Sequence, residues 1–159
     1  MPTGRQGNLI VTASKSVSSA ELRKEFIAEI KRQGKPYGLF FDDIQGGFTI
    51  TERQMPQAFQ VLPIMVWKVY PDGRPDELVR GVDIVGTPLA AFGHIIAAGD
   101  TTDVFNGICG AESGQIPVSA ASPPLLFSEL ETQRRSQEHD RPPILPPPPM
   151  TSTVQAGAQ

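Results

Sequence analysis

The run Gln60-Val61-Leu62-Pro63-Ile64-Met65-Val66-Trp67-Lys68-Val69-Tyr70 is followed by Pro71-Asp72-Gly73-Arg74 and then by Glu77-Leu78-Val79-Arg80-Gly81-Val82-Asp83-Ile84-Val85. No other stretch constrains the fold as tightly. β-Branched and aromatic residues fit a pleated, half-buried surface, and Pro-Asp-Gly presets the dihedral angles of a reversal. Two strands joined by so short a turn pair antiparallel. Pro63 has no N–H to give a ladder, so the first strand is expected to begin with an edge or a bulge.

The flanking chain alternates the same signals with two helical ones. Asn8 to Ala13 reads as a short buried strand, preceded by a loop over residues 1–7. Ser18-Ser19-Ala20-Glu21 supplies a capping box, and Leu22, Phe26, Ile27 and Ile30 recur at helical spacing before Gly34, which predicts a helix over 19–33. Its charged residues, Arg23, Lys24, Glu25, Glu29, Lys31 and Arg32, read as a solvated face. Tyr37 to Ile44 is strand-like, Gly46-Gly47 favours a hairpin or a bulge, and Phe48 to Thr51 resumes the strand pattern. Thr87-Pro88 reads as a helix start, with Leu89, Phe92, Ile95 and Ile96 repeating up to Gly99, which predicts a second helix over 88–98. Gln115 to Ala120 and Leu125 to Glu131 read as further strands.

The expected fold is therefore α+β: a mostly antiparallel β-sheet, barrel-like or strongly twisted, with two helices and a disordered Pro-rich C-terminal tail. The tail, residues 136–159, holds Pro142-Pro143-Ile144-Leu145-Pro146-Pro147-Pro148-Pro149, a composition that favours polyproline II and suits an SH3-type ligand. The body, residues 8–135, is long enough to bury a core without staples.

Composition removes several function classes. The net charge is −3 with scattered basic residues, which leaves no electrostatic footprint for nucleic acid. One cysteine cannot form an internal disulfide, no secretory signal opens the chain, and no apolar run approaches the ~20 residues of a membrane span. A soluble protein in a reducing, cytoplasmic setting is expected, with no membrane partner. A Walker loop, a GxSxG elbow, a dinucleotide fingerprint and HExxH are all absent. Asp42-Asp43 are adjacent on a strand and point to opposite faces, so they read as solvated turn residues before a metal pair. His94 has no second histidine at helical spacing and reads as a satisfied, partly buried imidazole. Trp67 and Tyr70 read as packing residues.

Cys109 lies in Asn106-Gly107-Ile108-Cys109-Gly110-Ala111-Glu112-Ser113-Gly114, read as a glycine-studded turn running into Gln115-Ile116-Pro117-Val118-Ser119. Glycine lets a ligand or another chain approach the backbone closely, so a thiol mounted there points into a site more readily than one on a helix face. The alternative is an inert buried cysteine packing as a small hydrophobe. A thiol enzyme pairing Cys109 with His94 would lack an orienting third group.

Three blocks carry a family resemblance: Leu62 to Gly73, Leu78 to Leu89, and Gly107-Ile108-Cys109-Gly110. In this order they resemble the C-terminal domain of the TldD/PmbA family of zinc metallopeptidases, over about Asn8 to Pro148. The resemblance implies a domain rich in antiparallel strands, in a homodimer or a TldD/PmbA-type heterodimer that encloses a cavity where unfolded peptides are cut. It implies zinc as cofactor, held by an HExxxH helix from an N-terminal domain plus a cysteine, here Cys109. Zinc would lower the pKa of bound water while the motif's glutamate handles the proton. Neither His94 nor His139 stands in such a motif, so this chain alone is expected to be inactive, with the sequence starting inside a longer or split protein. Exposed backbone over Gly110 to Val118 is expected to hold peptide by strand addition. The competing expectation is a non-catalytic dimerising subunit of the same family.

Overall fold

The computed structural model describes residues 4–50, 54–111 and 113–135. Its elements run β1 (Asn8–Ile10), α1 (Ser19–Arg32), β2 (Gly38–Ile50), β3 (Ala58–Val69), β4 (Glu77–Val79), β5 (Val82–Gly86), α2 (Pro88–Gly93), β6 (Ile95–Ala98), β7 (Asp103–Ala111), β8 (Gly114–Ser122), β9 (Leu125–Phe127) and β10 (Glu131–Arg134). The architecture is the expected α+β one, two helices with mostly antiparallel strands. The strands form three sheets ordered β10-β5-β3-β2 (with β4 also on β3), β1-β8-β7 and β6-β9, which do not close into a barrel. The β1–β8 pair is parallel.

β3 is the central strand, as its β-branched run dictates. It pairs antiparallel with β2 on one side and with β4 and β5 on the other. The return strand expected over 77–85 is split at Arg80-Gly81, yet its halves keep one register: Val66 faces Val79 and Val61 faces Ile84. Residues 62–65 and 80–83 thus lie opposite each other where that ladder is interrupted. Pro63, buried and unable to donate, sits in the interruption and at a register shift opposite Ile44. The bulge expected of it is present, but the strand is not an edge. A cleft of about 450 Å³ opens at the interruption, lined in part by Ile64, Leu78, Arg80 and Arg135.

β2 runs unbroken through Gly46-Gly47, which bulge instead of forming a hairpin. Gly47 lies so close to β3 that a Cβ there would run into the Gln60 carbonyl. α1 begins where expected: Ser18 Oγ accepts from the Glu21 N–H at 3.3 Å. The Glu21 carboxylate instead takes Lys24 Nζ at 3.0 Å, so only half of the capping box forms. Ile30 on α1 joins Val66, Val69, Ile84, Ala98 and Leu126 in the buried core.

Three expected elements are revised. The strand over 8–13 shrinks to β1, whose Ile10 is 73 % exposed, because it forms the edge of a small sheet and no described residue covers its outer face. The helix over 88–98 ends at Gly93; Ile95 and Ala98 pair instead with Phe127 and Leu125, a β ladder that suits the β-branched Ile95-Ile96 better than a helix interior does. The strand over 125–131 divides into β9 and β10, which serve different sheets. The Pro-rich tail lies outside the described residues.

Asp83 is the buried charge of the core, 2 % exposed on β5. Its Oδ1 accepts from Arg135 Nε at 3.0 Å and Nη2 at 2.5 Å, and its Oδ2 accepts from Gln60 Nε2 at 2.9 Å. The Arg135 hydrogen bonds, helped by Gln60, hold the Asp83 carboxyl below the ordinary range against the opposing effect of burial. A depressed folded pKa contributes stability above the unfolded value of about 4 that is lost as pH falls towards the folded one. Asp83→Asn is expected to lower stability at neutral pH by about 2 kcal/mol and to flatten the decline below pH of about 4, read from urea midpoints across pH. Gly47→Ala is expected to cost about 1–3 kcal/mol in the same unfolding experiment, because backbone and not a flexible side chain must move.

Candidate functional site

The stretch around Cys109 is a β-hairpin. β7 and β8 pair antiparallel from Asp103↔Ser122 to Ala111↔Gly114, with Cys109 opposite Ile116. The glycines on either side, Gly107 and Gly110, are strand residues, and the reversal lies beyond Ala111, where Gly114 takes φ +100°. An L side chain rarely adopts that conformation, so Gly114 is the glycine the turn requires. The corner expected at Cys109 is thus displaced by several residues, and the thiol sits on a strand two residues short of the end of β7.

Alternation places Phe105, Gly107 and Cys109 on one face with Ile116, Val118 and Ala120, and Val104, Asn106 and Ile108 on the other. Cys109 is half-buried, not sealed in the core. β8 lies between β7 and β1, and Ser119 N–H also donates to the Gly7 carbonyl at 2.9 Å. β1 pairs with Ser119 to Ala121 of β8, so the Gly110–Val118 stretch expected to accept a peptide lies beyond that pairing, between it and the turn, and β7 is an edge of this sheet.

Arg5, passed over as part of a loop, braces the hairpin. Its Nη1 donates to the Cys109 carbonyl at 2.9 Å and to the Gly114 carbonyl at 2.6 Å. The guanidinium thereby ties the strand that carries the thiol to the far side of the turn, across more than a hundred residues of chain. Its Nε and Nη2 are buried and have no partner among the described residues. A basic residue in Gly4-Arg5-Gln6-Gly7 carries no pattern that would reveal this role.

The other candidates are elsewhere. His94 caps the end of α2, is exposed where a partly buried ring was expected, and sets its Nδ1 3.3 Å from Ser128 Oγ. The hairpin that carries Cys109 belongs to another sheet. His139 lies outside the described residues. Asp42 and Asp43 are exposed, and Asp43 Oδ1 accepts the Ile44 N–H at 2.8 Å, a local turn contact. Tyr70 packs edge-on against Tyr37 at 6.3 Å, and its hydroxyl donates to Glu77 at 2.5 Å, as a packing residue with a polar handle does. Among the described residues no group of three His, Cys, Asp or Glu side chains is placed to hold a metal ion. None of their helices is long and apolar enough to cross a membrane.

No family model matches the chain, and no curated protein matches it either.

Arg5→Met keeps the aliphatic stem and removes both hydrogen bonds. Amide exchange over residues 109–115 is expected to speed up about tenfold while that of β3 stays unchanged. Equal protection in the variant would show that Arg5 does not brace the hairpin.

Proposed function

We propose that this chain is the C-terminal domain of a TldD/PmbA-like zinc metallopeptidase acting on unfolded peptides, with Cys109 as its one contribution to the metal. The reading rests on the three sequence blocks that resemble that family. The observation that carries it is the placement of Cys109, half-buried near the end of a braced hairpin at a sheet edge, where a second polypeptide can approach.

The residues of this chain do not make a zinc site by themselves. A thiolate is a good zinc donor, but a catalytic zinc takes three protein ligands and keeps a position open. The described residues offer Cys109 without companions. On this reading the two histidines and the glutamate of HExxxH come from polypeptide outside this sequence, and zinc, once bound, would activate water and polarise the scissile carbonyl. What this chain does is narrower. The hairpin sets the position of the sulfur, and Arg5 fixes the hairpin through its Cys109 and Gly114 carbonyls.

The lack of companion ligands equally favours a second reading, a non-catalytic subunit that only dimerises. Zinc binding separates the two. The chain alone is expected to lose zinc on dialysis, whereas its assembly with the HExxxH polypeptide keeps one equivalent and cleaves unfolded peptide. Cys109→Ser in that assembly is expected to weaken zinc binding more than about a hundredfold, since even outer-shell changes cost 10–100-fold. Zinc content and cleavage unchanged by Cys109→Ser would reject the peptidase role and leave the second reading.

A further inference from the structure

Two features of the backbone hold β3 apart from the return strand where their ladder is interrupted. Pro63 has no N–H to donate, and Gly81, at φ +71°, gives its carbonyl to the Arg135 N–H at 2.8 Å and makes no pair with β3. The gap between residues 62–65 and 80–83 is therefore built into the fold. The cleft of about 450 Å³ that opens there has the size of a small-molecule site, roughly 300–1,000 Å³. Ile64 and Leu78, 57 % and 46 % exposed, supply its apolar side. Among the described residues that line it, the charged ones are Arg80 and Arg135, both cationic.

These charges select the ligand. Arg135 is held in place by Asp83, which takes its Nε and Nη2 and leaves Nη1 for another acceptor. Arg80 has no ion-pair partner among the described residues. Two guanidinium groups against one carboxylate leave a single positive charge beside an apolar wall. We propose that the cleft binds a monoanionic aliphatic carboxylate, in chemical class a short fatty acid, with its head group on Arg80 and Arg135 Nη1 and its chain along Ile64 and Leu78. A guanidinium matches a carboxylate through two parallel N–H···O bonds, which an ammonium cannot offer. A phosphate dianion would bring one charge more than the cleft neutralises, and an uncharged ligand would desolvate Arg80 without pairing it. The cleft lies in the largest sheet, whereas Cys109 lies in another, so this binding goes beyond the peptidase reading.

Octanoate added to the whole chain is the probe, read by calorimetry and by backbone amide shifts. It is expected to bind saturably at one site and to move the signals of Ile64, Met65 and residues 79–82. Acetate, which lacks the chain, is expected to bind about a hundredfold more weakly, and octanol, which lacks the charge, about tenfold more weakly. Arg80→Met keeps the aliphatic stem and is expected to weaken octanoate about tenfold while leaving octanol and the circular dichroism spectrum unchanged. Arg80→Lys is expected to recover only part of that loss. Ile64→Gln, at an exposed position, is expected to weaken octanoate and leave acetate unchanged. Octanol or octyl phosphate binding as tightly as octanoate would overturn the proposal, as would an undiminished affinity in Arg80→Met or shifts confined to other residues. A peptide with a free C-terminal leucine that binds more tightly than octanoate would also overturn it, by making the cleft a peptide site.

Discussion

The apolar stripe of α1 joins the largest sheet to the β6–β9 pair. Leu22, near one end of the stripe, packs by Gly99 and Pro124 where β6 and β9 meet, while Phe26 and Ile30 lie against Gly38 at the start of β2. Val17, just before the helix, donates to the Ala98 carbonyl at 3.0 Å, and Gln33, just after it, donates to the Ser128 carbonyl at 2.7 Å. Arg23 reaches Asp76 beside the β3–β4 turn at 2.7 Å. Each exposed ion pair is worth little by itself. The burial of the stripe is what matters, because a 14-residue helix is marginal without a surface to cover. Once α1 is seated, β2 is fixed, and β2 fixes β3 along its whole length.

The hairpin that carries Cys109 stands apart from this arrangement. It packs on β1 and is tied by Arg5, but its faces expose Val104, Phe105 and Ile108, and β1 exposes Leu9 and Ile10. A small sheet with apolar residues on both faces has less of its surface removed from water than a domain core requires. Among the described residues these side chains stay exposed to water.

How much of this was legible in the sequence follows the range of the interactions. Ser18, Pro88 and Pro71-Asp72-Gly73 act within a few residues of themselves, and each marks the turn or helix start expected of it. Ile95-Ile96 satisfies both a helical and a strand period, and the choice is made by Phe127 and Leu125, some thirty positions away, which no local pattern reports. The glycines around Cys109 misled for a related reason. Gly107 and Gly110 look like turn residues beside a thiol, but Gly107 makes room for the Phe105 ring, and only Gly114 has the positive φ of the reversal. Pro63 was legible as a flaw in a strand but not as a flaw in a central one, because that depends on the strands that flank it on either side.

The candidate site was legible only as far as its chemistry is carried by one residue. A lone thiol defines a possible donor, whereas a metal centre is defined by the geometry of several donors at once, and no spacing in this chain supplies the others. Arg5 shows the same limit from the opposite direction: its importance comes from two carbonyl oxygens more than a hundred residues away, and a carbonyl has no signature in a sequence. Because its bonds go to main chain, they do not depend on the side chain at Cys109. The position of the hairpin is therefore set independently of the sulfur it carries, so losing the thiol should remove one candidate donor without moving the frame that presents it.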